Sequence, residues 1–301
     1  MRLEQLSLFD PTFCQRWRAG TPTWRPVHEG GFNARRYRVV PIPEAPARRF
    51  IEENHYSRSF PAARMSFGLL EGDHLVGAAV LGVPMHPAVL TKPFPTLDAD
   101  TAADLSRLVL LDDVPSNAES FVLGRLFRLA AEHGLRGLVA FSDPLPRIMA
   151  GAVLLPGHIG HVYRVTSGRY LGRGTARTVT MLPDGTVLTA RAQSKLYRGE
   201  RGAAGVQARL VRLGAQAFSS LIPPDGWISA SGSMPWRDLP LPDQRAAWLD
   251  AALTRVGARR VRHRGCHRFA WPVGDRGWRR RCPIGLVELP YPASVDPAVT
   301  L

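Results

Sequence analysis

Asp143, Arg107 and the cluster His158, His161 and Tyr163 carry the chemistry that this sequence offers. Arg107 stands inside the apolar run Leu105-Ser-Arg-Leu-Val-Leu-Leu111. A buried, unpaired guanidinium is costly, so Arg107 must meet a carboxylate, a ligand or solvent at a sheet edge. A structural ion pair meets that need as well as a site role does. Asp143 ends the apolar run Leu138-Val-Ala-Phe141 within Ser-Asp-Pro. Strand ends are where α/β proteins gather reactive groups, although the same tripeptide is ordinary turn chemistry. On a helix His158 and His161 would share a face, and Asp143 could add a third metal ligand. A His/Tyr acid–base pair is the alternative, because histidine titrates near neutrality and tyrosine can hold or return a proton. Packing histidines satisfy the same pattern without chemistry. A second set, His263, Cys266, His267 and Cys282, offers four zinc ligands at a spacing that matches no standard finger.

The elements that must position these groups follow from periodicity. Leu105–Leu111 reads as a buried strand, Phe121–His133 as an amphipathic helix and Leu138–Phe141 as a second strand, a βαβ-like order. Upstream, Pro46–Asn54 fits a helix, and two apolar runs around Glu71-Gly-Asp-His74 fit a β-hairpin. Residues 84–103, with four prolines, read as a loop. Downstream, Pro183-Asp-Gly185 between β-formers predicts another hairpin, and Val206–Ala217 and Leu241–Val256 predict helices. Residues 1–40 lack a sustained period and read as an irregular arm; residues 219–242 read as a connector.

The chain of 301 residues carries 39 basic and 25 acidic side chains, a net charge of +14. Only Lys92 and Lys195 are lysines. Codon bias accounts for arginine replacing lysine but not for the excess of base over acid, which favours a polyanionic partner such as nucleic acid. The stretch Arg255–Arg281 holds ten arginines and one acid, Asp275, interleaved with Phe269, Trp271 and Trp278. Arginine and aromatic side chains suit phosphates and stacked bases. Lys195, Arg198, Arg262, Arg264 and Arg268 are the candidate nucleic-acid contacts; a solvated surface explains the same residues without a ligand. Three cysteines make no disulfide framework, no apolar run approaches the length of a membrane span, and the start lacks a signal-peptide pattern. The cytosol is the expected compartment.

Several pieces occur in one order: His55-Tyr-Ser-Arg-Ser-Phe-Pro61, Val76-Gly-Ala, Leu105-Ser-Arg-Leu, Asn117-Ala-Glu-Ser120, Phe141-Ser-Asp143, Gly157-His-Ile-Gly160 with Tyr163, and Tyr170-Leu-Gly172. Together they resemble the phage Mom family of DNA-modifying proteins, a divergent branch of the GNAT acyltransferase fold. The resemblance spans about residues 45–200, and Phe269-Ala-Trp271 and Pro290-Tyr-Pro292 resemble the family's C-terminal end. It implies an α/β fold of the α+β kind with a mixed GNAT-like sheet, divided into an N-terminal arm (1–44), a catalytic core (45–218) and a basic C-terminal extension packing on that core (219–301). It also implies transfer of a small acyl or carbamoylmethyl-type group to adenine N6 in double-stranded DNA, which shields phage or mobile-element DNA from restriction. By similarity Arg107, Asp143 and Tyr163 hold the catalytic positions, with Tyr56, Ser120 and His158 in support.

An ordinary GNAT protein cradles the acyl-CoA pyrophosphate on a Gly-rich turn at a helix start. Here that turn is Asp112-Asp-Val-Pro-Ser-Asn-Ala-Glu-Ser120, acidic and without glycine. Ser116, Asn117 and Ser120 at the helix start are the candidate contacts to acetyl-CoA or another acyl donor. In the reaction so implied, Asp143 would accept the amine proton directly or through His158, Arg107 would hold Asp143 ionised, and Tyr163 would return a proton to the leaving group. Two other classes fit the same residues. One is a GNAT acetyltransferase acting on a protein or small-molecule amine; the other is a non-catalytic nucleic-acid-binding protein.

Overall fold

A computed structural model describes residues 13–28, 31–225, 227 and 234–301. In chain order the first half forms β1 (Phe13–Arg18), β2 (Thr21–Pro26), β3 (Tyr37–Pro41), α1 (Glu44–Asn54), β4 (Ala63–Glu71), β5 (His74–Gly82), α2 (Ala88–Thr91), β6 (Ala102–Leu110), α3 (Ala118–Glu132) and β7 (Gly137–Ser142). The second half forms β8 (Arg147–Met149), β9 (Ala152–Leu155), α4 (His161–Val165), β10 (Arg169–Arg173), β11 (Arg177–Met181), β12 (Val187–Leu188), α5 (Ala190–Arg198) and α6 (Ala203–Arg212). It ends with α7 (Leu241–Arg255), β13 (Arg259–His263), β14 (His267–Pro272), α8 (Arg276–Arg281) and β15 (Val299–Thr300). The chain divides into two compact units. The first holds residues 1–146, 154–175 and 265–298; the second holds 147–153, 176–264 and 299–301.

The first unit is built on a seven-stranded mixed sheet in the order β10-β14-β7-β6-β5-β4-β3, the α/β class read from the sequence. Only β6 and β7 run parallel; every other neighbouring pair is antiparallel. One face packs Phe67, Leu69, Leu81, Leu105, Leu138, Phe269 and Trp271 against Val122, Leu123 and Leu126 of α3. The other face is covered in two places, by Phe50 and Ile51 of α1 over Ala78, Val80 and Val109, and by Leu90 and Phe94 over Val139, Leu171 and Ala270. Apolar side chains thus line both faces of the central strands, which is why those strands read as continuous hydrophobic runs.

Two details of this sheet set up the site. The β6–β7 pairing covers only Ala102–Leu105 against Gly137–Ala140, and beyond it the two strands part. Within the β5–β6 pairing Val80 faces Arg107 while Leu81 faces Leu105, so Ser106 is an extra residue, a β-bulge. The bulge reverses the alternation of β6: Leu105 and Leu110 point to the α3 face, whereas Val109 points to the α1 face. Gly82 makes this possible. A Cβ there would lie 2.4 Å from Ser106 Oγ, closer than any real side chain comes.

Residues 13–28 and 31–40, expected to be irregular, are structured. β1 and β2 form a hairpin across Ala19-Gly20, both at positive φ, and β3 is the edge strand of the main sheet. Residues 1–12 of the expected arm lie outside the described residues. The hairpin packs on the turn after β6 through a parallel bridge between Trp17 and Leu111. Residues 265–298, placed by sequence in a C-terminal extension, supply β14 between β7 and β10. The main segment of the second unit, residues 176–264, is therefore inserted between β10 and β14, which are neighbours in the sheet. The expected loop at 84–103 also contains α2 and the start of β6.

The second unit pairs β12-β11-β13 and packs three helices on its own core of Leu196, Leu210, Trp236, Trp248 and Leu249. Its tryptophans are polar-satisfied: Trp248 Nε1 donates to the Gln216 carbonyl at 2.9 Å and Trp236 Nε1 to the Ser219 carbonyl at 3.1 Å. Residues 226 and 228–233 of the expected connector lie outside the described residues. Among the described residues no helix is long and apolar enough to cross a membrane.

Candidate active site

Around the place where β6 and β7 part, Tyr56, Asp104, Arg107, Asp143, His158, Tyr163 and His55 of the first unit are linked by their electrostatic influence on one another. Tyr163 stands on α4, which starts abruptly because Gly160 adopts φ 78°. A Cβ on Gly160 would lie 2.7 Å from the Phe269 ring and 2.8 Å from the Tyr163 ring, so only glycine lets the chain pass here. The Tyr163 ring sits 5.2 Å from Phe269 and 5.3 Å, edge-on, from Trp271. Burial, and then the electrostatic influence of Tyr56 and Asp104, raise its pKa well above the ordinary tyrosine value. The phenol keeps its proton near neutral pH and so has an O–H to donate.

Arg107 is held by main chain and hydroxyl groups. Its Nε donates to the Ser59 carbonyl at 3.1 Å, Nη1 to the Ser106 carbonyl at 2.7 Å and Nη2 to Ser59 Oγ at 3.1 Å. Burial lowers its pKa, an effect that Tyr56 and Asp104 oppose. The carboxylate, ligand or solvent expected to meet this cation is replaced by carbonyl and hydroxyl oxygens of Ser59 and Ser106, with Asp104 acting on it electrostatically. His55 at the end of α1 is buried, and its Nδ1 accepts from the Ser57 N–H at 3.1 Å. Burial first, then Arg107 and His158, hold its pKa well below 6.5, so this imidazole is neutral with its proton on Nε2. The Tyr56 ring lies 4.2 Å from His55 and 5.1 Å from Trp17.

The histidine pair expected on one helical face is not formed. α4 begins at His161, which is exposed, and His158 lies before it in the loop between Gly157 and Gly160. The His158 N–H donates to the Asp143 carbonyl at 2.8 Å, and its ring centre is 6.4 Å from that of Tyr163. Burial lowers the His158 pKa while Asp143 raises it. Asp143 also closes its own turn, its Oδ1 accepting from the Leu145 N–H at 3.0 Å. Of the second ligand set, His267 Nδ1 bonds the Tyr170 hydroxyl at 2.7 Å, and Cys282 packs in the core with Leu90 and Phe94.

The turn between β6 and α3 is occupied by the chain itself. Arg16, fully buried, donates to the Val114 carbonyl at 3.1 Å and the Pro115 carbonyl at 2.8 Å and pairs with Glu119. Asp112 takes Thr23 Oγ1 at 2.6 Å and Arg18 at 3.0 Å. The arginines of the hairpin thereby neutralise the acidic turn. Ser116 is buried with Oγ 3.2 Å from Cys14 Sγ, Asn117 caps α3 at φ 70°, and Ser120 Oγ donates to the Asn117 carbonyl at 2.9 Å. A diphosphate here would meet Glu119 and Asp113 and find Pro115 without an N–H. These residues do not fit a coenzyme diphosphate.

Lys195 and Arg198 lie on α5, where Arg198 pairs with Glu200 at 3.8 Å. Arg262 and Arg264 are exposed on and just after β13. Arg268 differs from the other four. It belongs to β14 of the first unit, half-buried, with its guanidinium 5.7 Å from the centre of the Phe141 ring.

A family model described as the Mom protein family matches residues 36–218, more than half of the chain. The chain belongs to the Mom protein family. No curated protein matches it significantly. Among solved structures, a GNAT family acetyltransferase from Elizabethkingia anophelis with acetyl-CoA bound is 10% identical, with a TM-score of 0.30 over 51% of this chain and 93% of that one. A tandem GNAT protein from the clavulanic acid biosynthesis pathway is 14% identical, with a TM-score of 0.32 over 73% of this chain and 65% of that one.

Sequence reasoning missed His55 and Asp104. Asp104 was open to the argument that picked out Arg107, since it too is a charge inside an apolar strand, Ala102-Ala-Asp-Leu105. His55 gave no such signal, because a histidine after a helix is unremarkable until its burial is known.

Proposed function

We propose that this Mom-family protein is a DNA-modifying transferase that moves a small acyl-type group onto adenine N6. The observation that carries this reading is the gathering of a half-buried cation, carboxylates, neutral histidines and a protonated phenol at the parting of β6 and β7 in a chain of that family. The excess of basic side chains supports a polyanionic substrate.

Adenine N6 is a poor nucleophile because its lone pair is delocalised into the ring. The centre must therefore remove its proton as the new bond forms and stabilise charge on the donor. Arg107 supplies a fixed positive charge for the developing anion. Tyr163 donates a hydrogen bond to the departing group without ionising. The base reaches the centre by flipping out of the duplex, which costs a few kcal/mol.

Expression in a host, followed by nucleoside mass analysis of its DNA, tests the reading directly. An adenosine of added mass is expected with the wild type and a much smaller yield with Tyr163→Phe. An unchanged adenine pool with soluble wild-type protein would refute it.

A further inference from the structure

We propose that Asp104, and not Asp143, is the group that takes the proton from the attacking amine. The proposal rests on the transferase reading above and names its proton acceptor. Three observations carry it.

The two carboxylates differ in what they have left to offer. Asp143 Oδ1 is committed to the Leu145 N–H of its own turn. Asp104 Oδ2 accepts from Ser106 Oγ at 2.7 Å, while its Oδ1 is shut off from solvent and finds no hydrogen-bond partner among the described residues. Buried polar atoms rarely lack a partner, and an oxygen so placed is suited to a donor that arrives with a substrate.

The second observation is positional. Asp104 is the last-but-one residue of β6 still paired with β7, so it stands where the two strands begin to part. The partners beside it, Gly82 on β5 and Val139 on β7, bring no charge. The charged and titratable groups that act on it or feel it are Arg107 on its own strand and Tyr163 from α4.

The third is the bulge. Ser106 is the inserted residue, its hydroxyl lies where a Cβ on Gly82 would crowd it, and that hydroxyl donates to the Asp104 carboxylate. The register shift thus places a donor on this carboxyl. Burial raises its pKa to about 6, in the range suited to a general base near neutrality.

In the step so assigned, the N6 lone pair attacks the electrophilic carbon of an activated acyl donor and the C–N bond forms. The bond to the leaving group breaks with its electron pair on the departing atom, which Tyr163 hydrogen-bonds and solvent protonates. The N6 proton moves to Asp104 Oδ1 and leaves to water after release.

Two measurements on the full chain test this. Infrared titration of the protein without substrate should show a carboxyl that protonates near pH 6 and that disappears in Asp104→Asn. Adenine modification should fall as pH drops through about 6, and Asp104→Asn should lose at least about 100-fold in rate and the pH limb with it, with DNA affinity kept. Asp104→Glu should recover part of the rate, whereas Asp143→Asn should retain the limb. An Asp104→Asn protein that modifies adenine at the wild-type rate, or a carboxyl titrating in the ordinary range, overturns the assignment. A wild-type protein that titrates as described but leaves adenine unmodified overturns the DNA reading instead.

Discussion

The two units use charge in opposite ways. The first carries 24 basic and 19 acidic residues and draws inside Arg16, His55, His267 and one oxygen of the Asp104 carboxylate, while the second buries Arg147 and His263. The second carries fifteen basic and six acidic residues in about a third of the chain, and leaves Arg177, Arg260, Arg262 and Arg264 exposed without an ion pair among the described residues. Burying a charge costs free energy unless it is compensated, so the first unit holds polar groups in a tuned, high-energy arrangement. Exposed arginines cost little to maintain and act at long range on a polyanion. The contrast is one of placement: the most strongly shifted titratable groups lie in the first unit, and the exposed excess of positive charge lies in the second.

The strongest way to break that comparison is to unfold one unit alone. Trp248 is almost fully buried at the centre of the second core, so Trp248→Ala should cost about 3–5 kcal/mol. Hydrogen exchange should then accelerate in α5, α6 and α7 and stay slow in β4, β5 and β6. Equal acceleration in both would show that the two units unfold as one.

A pH series sharpens the comparison next, because the most strongly shifted groups, Asp104, Tyr163 and His267 among them, belong to the first unit. Asp104 has a folded pKa of about 6 against an ordinary 3.8. Between those values the folded state binds more protons than the unfolded one, so stability falls as pH rises, by up to about 3 kcal/mol. His267 is the reverse, its pKa pushed by burial from 6.5 down to about 4, so its contribution is lost as pH falls through that window. His55 and His158, whose pKa values are also lowered by burial, act in the same direction as His267. In denaturant unfolding between pH 4 and 6.5, Asp104→Asn should make stability rise more steeply with pH than in the wild type, and His267→Gln should make it rise less steeply. Two variants with the wild-type profile would mean that neither group is shifted.

Gly82→Ala probes the bulge with a smaller effect. The added methyl meets Ser106 Oγ, and relieving the overlap should cost about 1–3 kcal/mol and disturb the Asp104 partner. Its rate loss should exceed that of a substitution of matched stability cost in the second unit. Equal losses would make the effect one of stability alone.

The extent to which this was legible in the sequence follows from the range of the interactions. β4–β5, β6, α3 and β7 were readable because their periods and turns are local: Gly72 and Asp73 close the hairpin, and Asn117 opens the helix. The place of β14 between β7 and β10 was not, since about 90 residues of inserted chain separate it from β10 and no local pattern records such a pairing. Of the site, Arg107 was found because a cation in an apolar strand demands an explanation. The His158–His161 helix face failed because two glycines interrupt the run, Gly157 and Gly160, both at positive φ. Asp104 escaped because the bulge that orients it depends on a glycine across the strand pair, twenty-four residues upstream in sequence.

The smallest effect concerns single arginines and sets Arg262 against Arg268. Both were read as phosphate contacts, but Arg262 is exposed on β13, whereas Arg268 lies half-buried over Phe141, where burial lowers its pKa. A released counterion lowers the salt slope of DNA binding by about 0.9 per phosphate contact. Arg262→Ala should therefore flatten the slope by about that amount, near half a log unit of affinity over a fourfold change in salt. Arg260→Ala and Arg264→Ala should add to it. Arg268→Ala should leave the slope unchanged and instead lower the unfolding midpoint, because what it loses is packing and not a phosphate contact. Binding isotherms at four salt concentrations decide the matter. A slope that responds to Arg268 and ignores Arg262 would move phosphate capture from the second unit to the first, and the division of labour between the units would fall with it.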